Sequence, residues 1–268
     1  MENSARPRHT APGNEWERYL TGYHNERPGI TERLLGAAVD KHGFQPYSWL
    51  ADPLRDTAGP VLDLACGSAP TRTHLAGKRW LGVDLSAREL AVAAGLGRGP
   101  LLQASGDRLP IRTESISAVC AAMCLQMLTP LDDVLAELHR VLRPGGRLAA
   151  LVPAGMRPGR AAFRWWRIMR TLGIRSLPWP NPQANDGLPA LLQAHGFTVD
   201  SSDRRDFLRA ISSPDDAQLL IDGLYLPDTA PDRISTAKNT LASWSGPGLS
   251  MVFPLHRVIA HRPARGGR

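Results

Sequence analysis

The stretch Val61-Leu62-Asp63-Leu64-Ala65-Cys66-Gly67-Ser68-Ala69-Pro70 decides the fold of this chain. A short apolar run reaches an acid and then small residues, which predicts a buried parallel strand at 61–64 and a tight turn into a helix at 65–68. Such a turn lets backbone N–H groups approach a ligand, because no large side chain stands in the way. Asp63 can then hold a cationic or hydroxyl-bearing group at the end of the strand.

A second strand that ends in an acid follows one strand–helix unit later, at Leu81-Gly82-Val83-Asp84-Leu85-Ser86. In dinucleotide-type folds an acid about 20 residues after the glycine turn accepts hydrogen bonds from ribose hydroxyls, and Asp84 has that spacing from Cys66 and Gly67. The turn is not a GxGxxG fingerprint, whose glycines approach a pyrophosphate. The two stretches therefore favour a nucleoside without phosphates, such as S-adenosylmethionine.

Two further motifs complete a pattern: Leu109-Pro110 and Arg140-Val141-Leu142-Arg143-Pro144-Gly145-Gly146. With the two acidic strand ends, they resemble the motif series of class I S-adenosylmethionine-dependent methyltransferases, in the branch of the ubiquinone/menaquinone-type small-molecule enzymes. The resemblance implies a doubly wound, Rossmann-like α/β fold with a seven-stranded sheet, mostly parallel with the last strand antiparallel. The cofactor residues it implies are Asp63, Ala65, Cys66, Gly67, Asp84, Leu85, Ser105, Gly106, Asp107 and Met123.

The sequence departs from this family at the adenine end of the implied cofactor site. The family usually places an acid four residues before the leucine of Leu-Pro, and here that position holds Ser105. Either the backbone of Ser105 and Gly106 meets the adenine, or the loop shifts and Asp107 does. Nearby, Ser86 and Glu89 have the spacing of a capping box at the start of the next helix.

The length of 268 residues allows one large α/β domain with an insert. We expect a single domain over residues 14–262, with N-terminal helices as a cap at 14–57 and a helical lid inserted after the fifth strand at 156–186. A disordered leader at 1–13 and a basic tail at 263–268 flank it. The sequence has no apolar run long enough to span a bilayer and no secretory signal, so we expect a cytoplasmic protein.

The net charge of +7 invites a nucleic-acid interpretation, but its distribution argues against one. Residues 1–13 carry +1 and residues 256–268 carry +4, which leaves about +2 for the folded body. Arg164, Arg167 and Arg170 keep an RNA or protein methyltransferase as an alternative. A protein of this fold without methyl-transfer activity is a third hypothesis, and a homodimer is left open.

The three cysteines, Cys66, Cys120 and Cys124, fall in or beside predicted buried strands and turns. Small apolar thiols in such places are expected to fill the core of a protein in a reducing compartment. The sequence offers no Cys/His pairs at ligand spacing, so no metal site is expected.

Aromatic residues are assigned to the acceptor. The arginine- and tryptophan-rich segment 157–179 follows the fifth strand, where an open α/β sheet has its ligand crevice, which predicts a substrate lid. Trp165 and Trp166 are adjacent and point in different directions, so at least one is predicted to line or cover a pocket. The predicted acceptor-binding residues are Tyr19, Tyr23, Met127, Trp165, Trp166 and Trp179.

Methyl transfer from a sulfonium is an in-line displacement, for which a protein mainly supplies alignment and a dry pocket. A general base is needed only for a weakly acidic acceptor such as a hydroxyl. His24 is the candidate base, with Tyr23 as a positioning group, whereas His195 fits a helix C-terminus. The aromatic lid favours a small aromatic or apolar natural-product acceptor, methylated at oxygen, nitrogen or a nucleophilic carbon such as that of an indole.

Overall fold

The structure is a computed structural model that describes residues 12–264, with side chains described from Glu15 onward. The helices are α1 (Pro12–Glu26), α2 (Ile30–Leu35), α3 (Pro46–Ala51), α4 (Ala87–Gly95), α5 (Leu131–Val141), α6 (Arg160–Leu172), α7 (Gln183–Asp186), α8 (Leu188–Ala194), α9 (Pro214–Asp222) and α10 (Pro231–Ala242). The strands are β1 (Val61–Leu64), β2 (Trp80–Asp84), β3 (Leu101–Gln103), β4 (Ile116–Ala122), β5 (Leu142–Pro153), β6 (Thr198–Ala210) and β7 (Ser250–His261). Short 3₁₀ helices lie at Asp52–Leu54 and Pro70–Leu75.

The predicted termini lie mostly outside the described residues. This holds for residues 1–11 of the leader expected at 1–13, and for residues 265–268 of the basic tail. Helix α1 begins at Pro12, two residues inside the expected leader.

The seven strands form one sheet in the order β3-β2-β1-β4-β5-β7-β6. Strands β1 to β5 are parallel to one another, and β7 runs antiparallel between β5 and β6. Alternating strands and helices produce this arrangement because parallel neighbours need crossover connections. The predicted doubly wound α/β fold with an antiparallel last strand is confirmed.

Both faces of the central strands are covered by helices. Leu62 and Leu64 of β1 belong to a core cluster with residues of α5 and α8, whereas Val61 packs with Trp49 and Leu50 of α3. Successive residues of a strand point to opposite faces, so β1 must be apolar on both. A third cluster packs α6, α9 and α10 together beyond β5 and β7.

Two strands are longer than their sequence predicts. The sequence predicts a strand at 147–152, but β5 begins at Leu142, because Leu142 pairs with Ile116 before a bulge and Arg147 then pairs with Ala118. Gly146 lies in this bulge, where an added Cβ would be 2.8 Å from the Arg143 carbonyl oxygen. The sequence predicts a strand at 197–200, but β6 runs from Thr198 to Ala210, paired with β7 along its length.

Candidate functional site

A pocket opens at the carboxyl ends of β1, β2 and β4, the edge where parallel α/β sheets bind ligands. It encloses about 1140 Å³ of space, part of it open to solvent. The turn after β1 forms one side, helices α1 and α2 contribute the cover, and the loops after β2, β3 and β4 complete the wall.

The turn after β1 is built from small residues in left-handed backbone conformations. Ala65, Gly67 and Ala69 have φ values of 48°, 53° and 58°. The turn is tied to the next strand, because Cys66 N donates to Val83 O at 3.0 Å. Small side chains thus bring the backbone of residues 65–68 directly to the pocket.

The carboxylate of Asp84 joins this turn to the loop after β2. Its Oδ2 accepts from Gly67 N at 2.8 Å, and its Oδ1 accepts from Ser86 N at 2.8 Å. Burial raises the pKa of Asp84, and the two backbone donors oppose that rise. A carboxylate has about four acceptor positions, so Asp84 can still receive ribose hydroxyls.

The carboxylate of Asp63 is buried, and within residues 12–264 only one of its two oxygens is hydrogen-bonded. Its Oδ2 accepts a hydrogen bond from the Thr71 hydroxyl, but its Oδ1 has no hydrogen-bond partner among the described residues. Burial raises the pKa of Asp63 to about 7, and the negative charge of Asp84 adds to this. A cationic group beside Asp63 would supply the missing partner and favour the ionised carboxylate.

The charged residues that line the pocket are all acidic. They are Glu17, Glu32, Asp63, Asp84 and Glu89; within residues 12–264 no lysine or arginine lines it, and His24 is its one histidine. This donor set suits a ligand that carries positive charge and hydroxyl groups, and it offers nothing to neutralise a phosphate. The pocket therefore fits S-adenosylmethionine and does not fit a phosphate-bearing dinucleotide.

A chain of three side chains crosses the covered side of the pocket. Glu89 Oε1 lies 2.7 Å from His24 Nδ1, and His24 Nε2 lies 3.0 Å from Tyr225 Oη. Glu89 Oε2 also accepts from Gly29 N at 2.9 Å. The expected capping box is therefore only half formed: Ser86 accepts from Glu89 N, while the Glu89 side chain is used by the cover.

The sequence-predicted cofactor residues come together with one exception. Asp63, Ala65, Cys66, Gly67, Asp84, Leu85, Ser105, Gly106 and Met123 all line the pocket. Asp107 does not line it, although Ser105 and Gly106 beside it do. The placement thus favours Ser105 and Gly106 over Asp107 at the adenine end.

Three of the predicted acceptor-binding aromatic residues pack into the protein instead. Tyr23 is buried and donates through its hydroxyl to Asp222 O at 2.5 Å, and the Tyr19 hydroxyl accepts from Leu226 N at 2.9 Å. Trp179 packs in the same cluster, which joins α1 to the segment after α9. Tyr19, Tyr23 and Trp179 do not line the pocket, whereas Met127 and His24 do. The acceptor-binding role of the three aromatic residues, and that of Tyr23 as a positioning group, stay predictions.

No residue of the predicted lid at 156–186 lines the pocket. Trp165 Nε1 donates to Val252 O at 2.7 Å, and its ring meets Phe253 edge-on with 5.7 Å between centroids, so Trp165 holds α6 against β7. Trp166 is 51% exposed and lies on the outer face of α6. Neither tryptophan lines the pocket at the carboxyl ends of β1, β2 and β4, whereas Trp166 lines a second, open depression on α6. An acceptor-binding role for either residue stays a prediction.

Sequence reasoning missed the roles of Glu89 and Tyr225. Glu89 was interpreted as a helix cap, and Tyr225 stands in a loop without a motif. The His24 to Tyr225 contact joins residues 201 positions apart, so no local sequence pattern predicts it. Glu17 and Glu32 were also missed, and the charge of their helix faces is the only local signal.

Residues 12–264 lack two further structural features. None of the helices there is both long enough and apolar enough to cross a membrane. The same residues contain no group of three or more His, Cys, Asp or Glu side chains placed to hold a metal ion.

Comparison with known families and proteins gives a consistent result. A family model described as a methyltransferase domain matches residues 62–150. A malonyl-[acyl-carrier protein] O-methyltransferase from Alcanivorax borkumensis is 36% identical over 127 residues, covering 44% of this chain and 43% of that protein. The ubiquinone/menaquinone biosynthesis C-methyltransferase UbiE of Syntrophotalea carbinolica is 32% identical over 138 residues, covering 47% of this chain and 56% of that protein. The chain thus spans about half the length of these curated relatives.

Solved structures share the fold over most of the chain. The [4+2]-cyclase SpnF superposes with a TM-score of 0.61 at 18% identity, covering 92% of this chain and 96% of that one. A putative methyltransferase from Bacillus halodurans has a TM-score of 0.55 at 17% identity, covering 82% of this chain and 99% of that one. At these identities the likeness concerns the fold alone. The matched family model and the two acidic strand ends together show a methyltransferase domain at residues 62–150 of this chain.

Proposed function

We propose that this protein transfers a methyl group from S-adenosylmethionine to a small, neutral, aromatic or apolar acceptor. The observation that carries the proposal is the pocket itself, with Asp63 and Asp84 at the ends of β1 and β2 and no lysine or arginine in its described lining. The cofactor supplies a methyl group already activated on a sulfonium, so the protein has to bind, align and exclude water.

The cofactor side follows from the geometry of the turn. Asp84 would accept from the ribose hydroxyls, and Asp63 with the backbone of residues 65–68 would hold the cationic amino-acid end. Leu85, Ser105 and Gly106 would surround the adenine, since they line the far side of Asp84 along the loops after β2 and β3. Met123, at the end of β4, would face the sulfonium end.

The acceptor class is the finer part of the proposal. One relative is named for an O-methylation of a malonyl thioester and another for a C-methylation in quinone biosynthesis. A malonyl group carries a carboxylate, which the acidic lining of the pocket would repel, since within residues 12–264 only Glu32 among its carboxylates is paired with an arginine, Arg98. Leu20, Met127 and Leu128 offer apolar lining instead, so we favour a neutral ring-bearing acceptor.

His24 is the proposed base where the acceptor must lose a proton. Glu89 can only accept at Nδ1 while it is ionised, which leaves Nε2 as the acceptor nitrogen. Tyr225 Oη lies 3.0 Å from Nε2 and both side chains line the pocket, so the tyrosine hydroxyl would pass its proton to His24 while taking one from the acceptor. This arrangement serves an acidic oxygen or carbon acceptor and is dispensable for an amine.

The proposal also places the protein in the cytoplasm. The three cysteines are free and buried, and a reducing compartment keeps them so.

Transfer from radiolabelled S-adenosylmethionine to a panel of acceptors tests the function. The panel contains neutral phenols, indoles and quinols, a malonyl thioester, and RNA. We expect labelling of the neutral ring compounds. Transfer only to the malonyl thioester or only to RNA would replace the proposed acceptor class. Tight binding of S-adenosylhomocysteine without transfer to any acceptor would favour a non-methylating activity, as in the [4+2]-cyclase that shares the fold.

A further inference from the structure

The positive charge of the folded body is concentrated in one segment. Residues 157–185 contain six arginines and no aspartate, glutamate or lysine, against a net charge of +7 for the whole chain. Helix α6 carries four of these arginines in 13 residues. We call the outward face of α6 the α6 patch, defined by Arg160, Phe163, Trp166, Arg167 and Arg170.

The charges of the α6 patch are not neutralised. Within residues 12–264, none of the six arginines of the segment makes an ion pair. Arg167 lies over the Trp244 ring at 4.6 Å, and Arg170 lies over the Trp166 ring at 5.4 Å. These contacts hold the side chains along the surface while their charge faces solvent.

Two large aromatic residues project from the same patch. Phe163 is 57% exposed and Trp166 is 51% exposed, and their rings stack with centroids 5.6 Å apart and an interplanar angle of 24°. The opposite face of α6 carries Ile168 and Leu172, which are buried against α9 and α10. The aromatic pair is therefore not a core face left uncovered, because α6 already has a buried apolar face.

We propose that the α6 patch docks on an anionic lipid bilayer. Aromatic rings and arginines on one helix face match the interface of a membrane, where rings enter the headgroup region and guanidinium groups meet lipid phosphates. Phe163, Trp166, Arg167 and Arg170 line a depression that is open to solvent. The charged side chains of the patch are all arginines, which complement the anionic surface of a bilayer. The Trp166 ring already contacts Phe163 and Arg170, which leaves less of that ring for nucleotide bases to stack on.

The position of the patch gives the docking a purpose. Helix α6 follows β5, whose carboxyl end lies at the sheet edge where the pocket opens. An apolar acceptor partitions into bilayers, so a bilayer-docked enzyme would meet it there. Only this purpose rests on the proposed function; the docking itself does not require methyl transfer.

Vesicle sedimentation of the full-length protein tests the proposal without any activity. Vesicles of phosphatidylcholine alone are compared with vesicles that also contain phosphatidylglycerol, at low and high salt. We expect binding to the anionic vesicles only, weakened by salt because the charges are exposed. Arg160→Gln and Arg170→Gln should each weaken binding about fivefold. The pair Phe163→Ser and Trp166→Ser should weaken it further than either arginine variant.

Matched control variants distinguish binding through the α6 patch from non-specific binding through other exposed apolar or charged side chains. Phe44→Ser and Leu96→Ser remove exposed apolar side chains elsewhere, and Arg79→Gln removes an exposed arginine at the opposite edge of the sheet. We expect these variants to bind vesicles like the unchanged protein. Equal binding to both vesicle types, no binding, or equal losses in patch and control variants would overturn the proposal. So would capture of RNA or of an acidic carrier protein by the α6 patch in the absence of vesicle binding.

Discussion

Glu89 Oε1 and His24 Nδ1 lie 2.7 Å apart, and this contact ties the cover of the pocket to the central sheet. Glu89 belongs to α4, which follows β2, whereas His24 lies in the last turn of α1. The second oxygen of Glu89 accepts from Gly29 N just before α2. One buried carboxylate therefore fixes the end of α1, the start of α2 and the orientation of the imidazole.

The first prediction concerns how Glu89 acts. Glu89→Gln keeps the shape but lets the amide donate to Nδ1, which favours the ring tautomer with its proton on Nε2 and so weakens His24 as a base. We expect kcat for a hydroxyl or carbon acceptor to fall about tenfold, against about 100-fold for His24→Asn. The KM for the cofactor should change little, because neither side chain meets the proposed ribose or adenine contacts.

A double variant distinguishes positioning from an independent role. If Glu89 acts through His24, then Glu89→Gln combined with His24→Asn is no slower than His24→Asn alone, since the two residues work as a unit. Multiplicative losses would show that Glu89 acts by itself. Denaturant unfolding of each variant checks that α1 and α2 remain docked.

The second prediction compares two neighbouring carboxylates. Asp84→Asn should weaken S-adenosylhomocysteine binding about 10- to 100-fold, because two ribose hydroxyls lose a charged acceptor. Asp107→Asn should leave the affinity within about twofold, since Asp107 does not line the pocket. Calorimetric titration measures both. A strong loss with Asp107→Asn would return the adenine contact to Asp107.

The third prediction follows from the raised pKa of Asp63. A bound cation favours the ionised carboxylate, so a pKa of about 7 in the free protein links cofactor binding to release of a proton. Affinity should rise about tenfold per pH unit below that pKa and level off above it. Titrations in buffers of different ionisation enthalpy measure the proton released. Asp63→Asn should bind more weakly and show only the ligand's own titration; an equally steep profile in this variant would exclude Asp63 as the linked group.

The free energy of unfolding of the free protein depends on pH in the opposite direction. The folded pKa of Asp63 lies above its ordinary value of 3.8, so the folded state binds more protons than the unfolded state between these values. This contribution to the free energy of unfolding is therefore present at low pH and is lost as the pH rises from about 4 to about 7.

The strands of the central sheet could be predicted because the residues that specify each strand are close together in the sequence. Strands β1, β2 and β4 are apolar runs, and the acids and glycines that follow them act within a few residues. The part of β6 after residue 200 could not be predicted, because it lies in an edge strand whose exposed polar residues give no apolar pattern. Its length is set by pairing with β7, which the sequence of β6 alone does not encode.

The site also contains residues that the local sequence predicts and contacts that it does not. Asp63, Gly67 and Asp84 stand at predictable strand ends, and the structure brings them to one pocket. The contact of His24 with Tyr225 depends on how α1 and the segment after α9 pack, so it appears only in three dimensions. The adjacency of Trp165 and Trp166 correctly excluded two core residues, but adjacency does not say whether the other ring meets a pocket or solvent.

The last prediction separates those two tryptophans. Trp165→Ala removes a packed ring and its hydrogen bond to Val252 O, and should lower the free energy of unfolding by about 3 kcal/mol. Trp166→Ala removes an exposed ring and should change it by no more than about 0.5 kcal/mol. With a water-soluble acceptor and no vesicles, neither variant should alter the KM of the acceptor, because neither ring lines the pocket. Urea unfolding and steady-state kinetics measure the two effects. A raised acceptor KM in Trp166→Ala, with stability unchanged, would mean that α6 closes over the pocket during turnover and would restore its role as a lid.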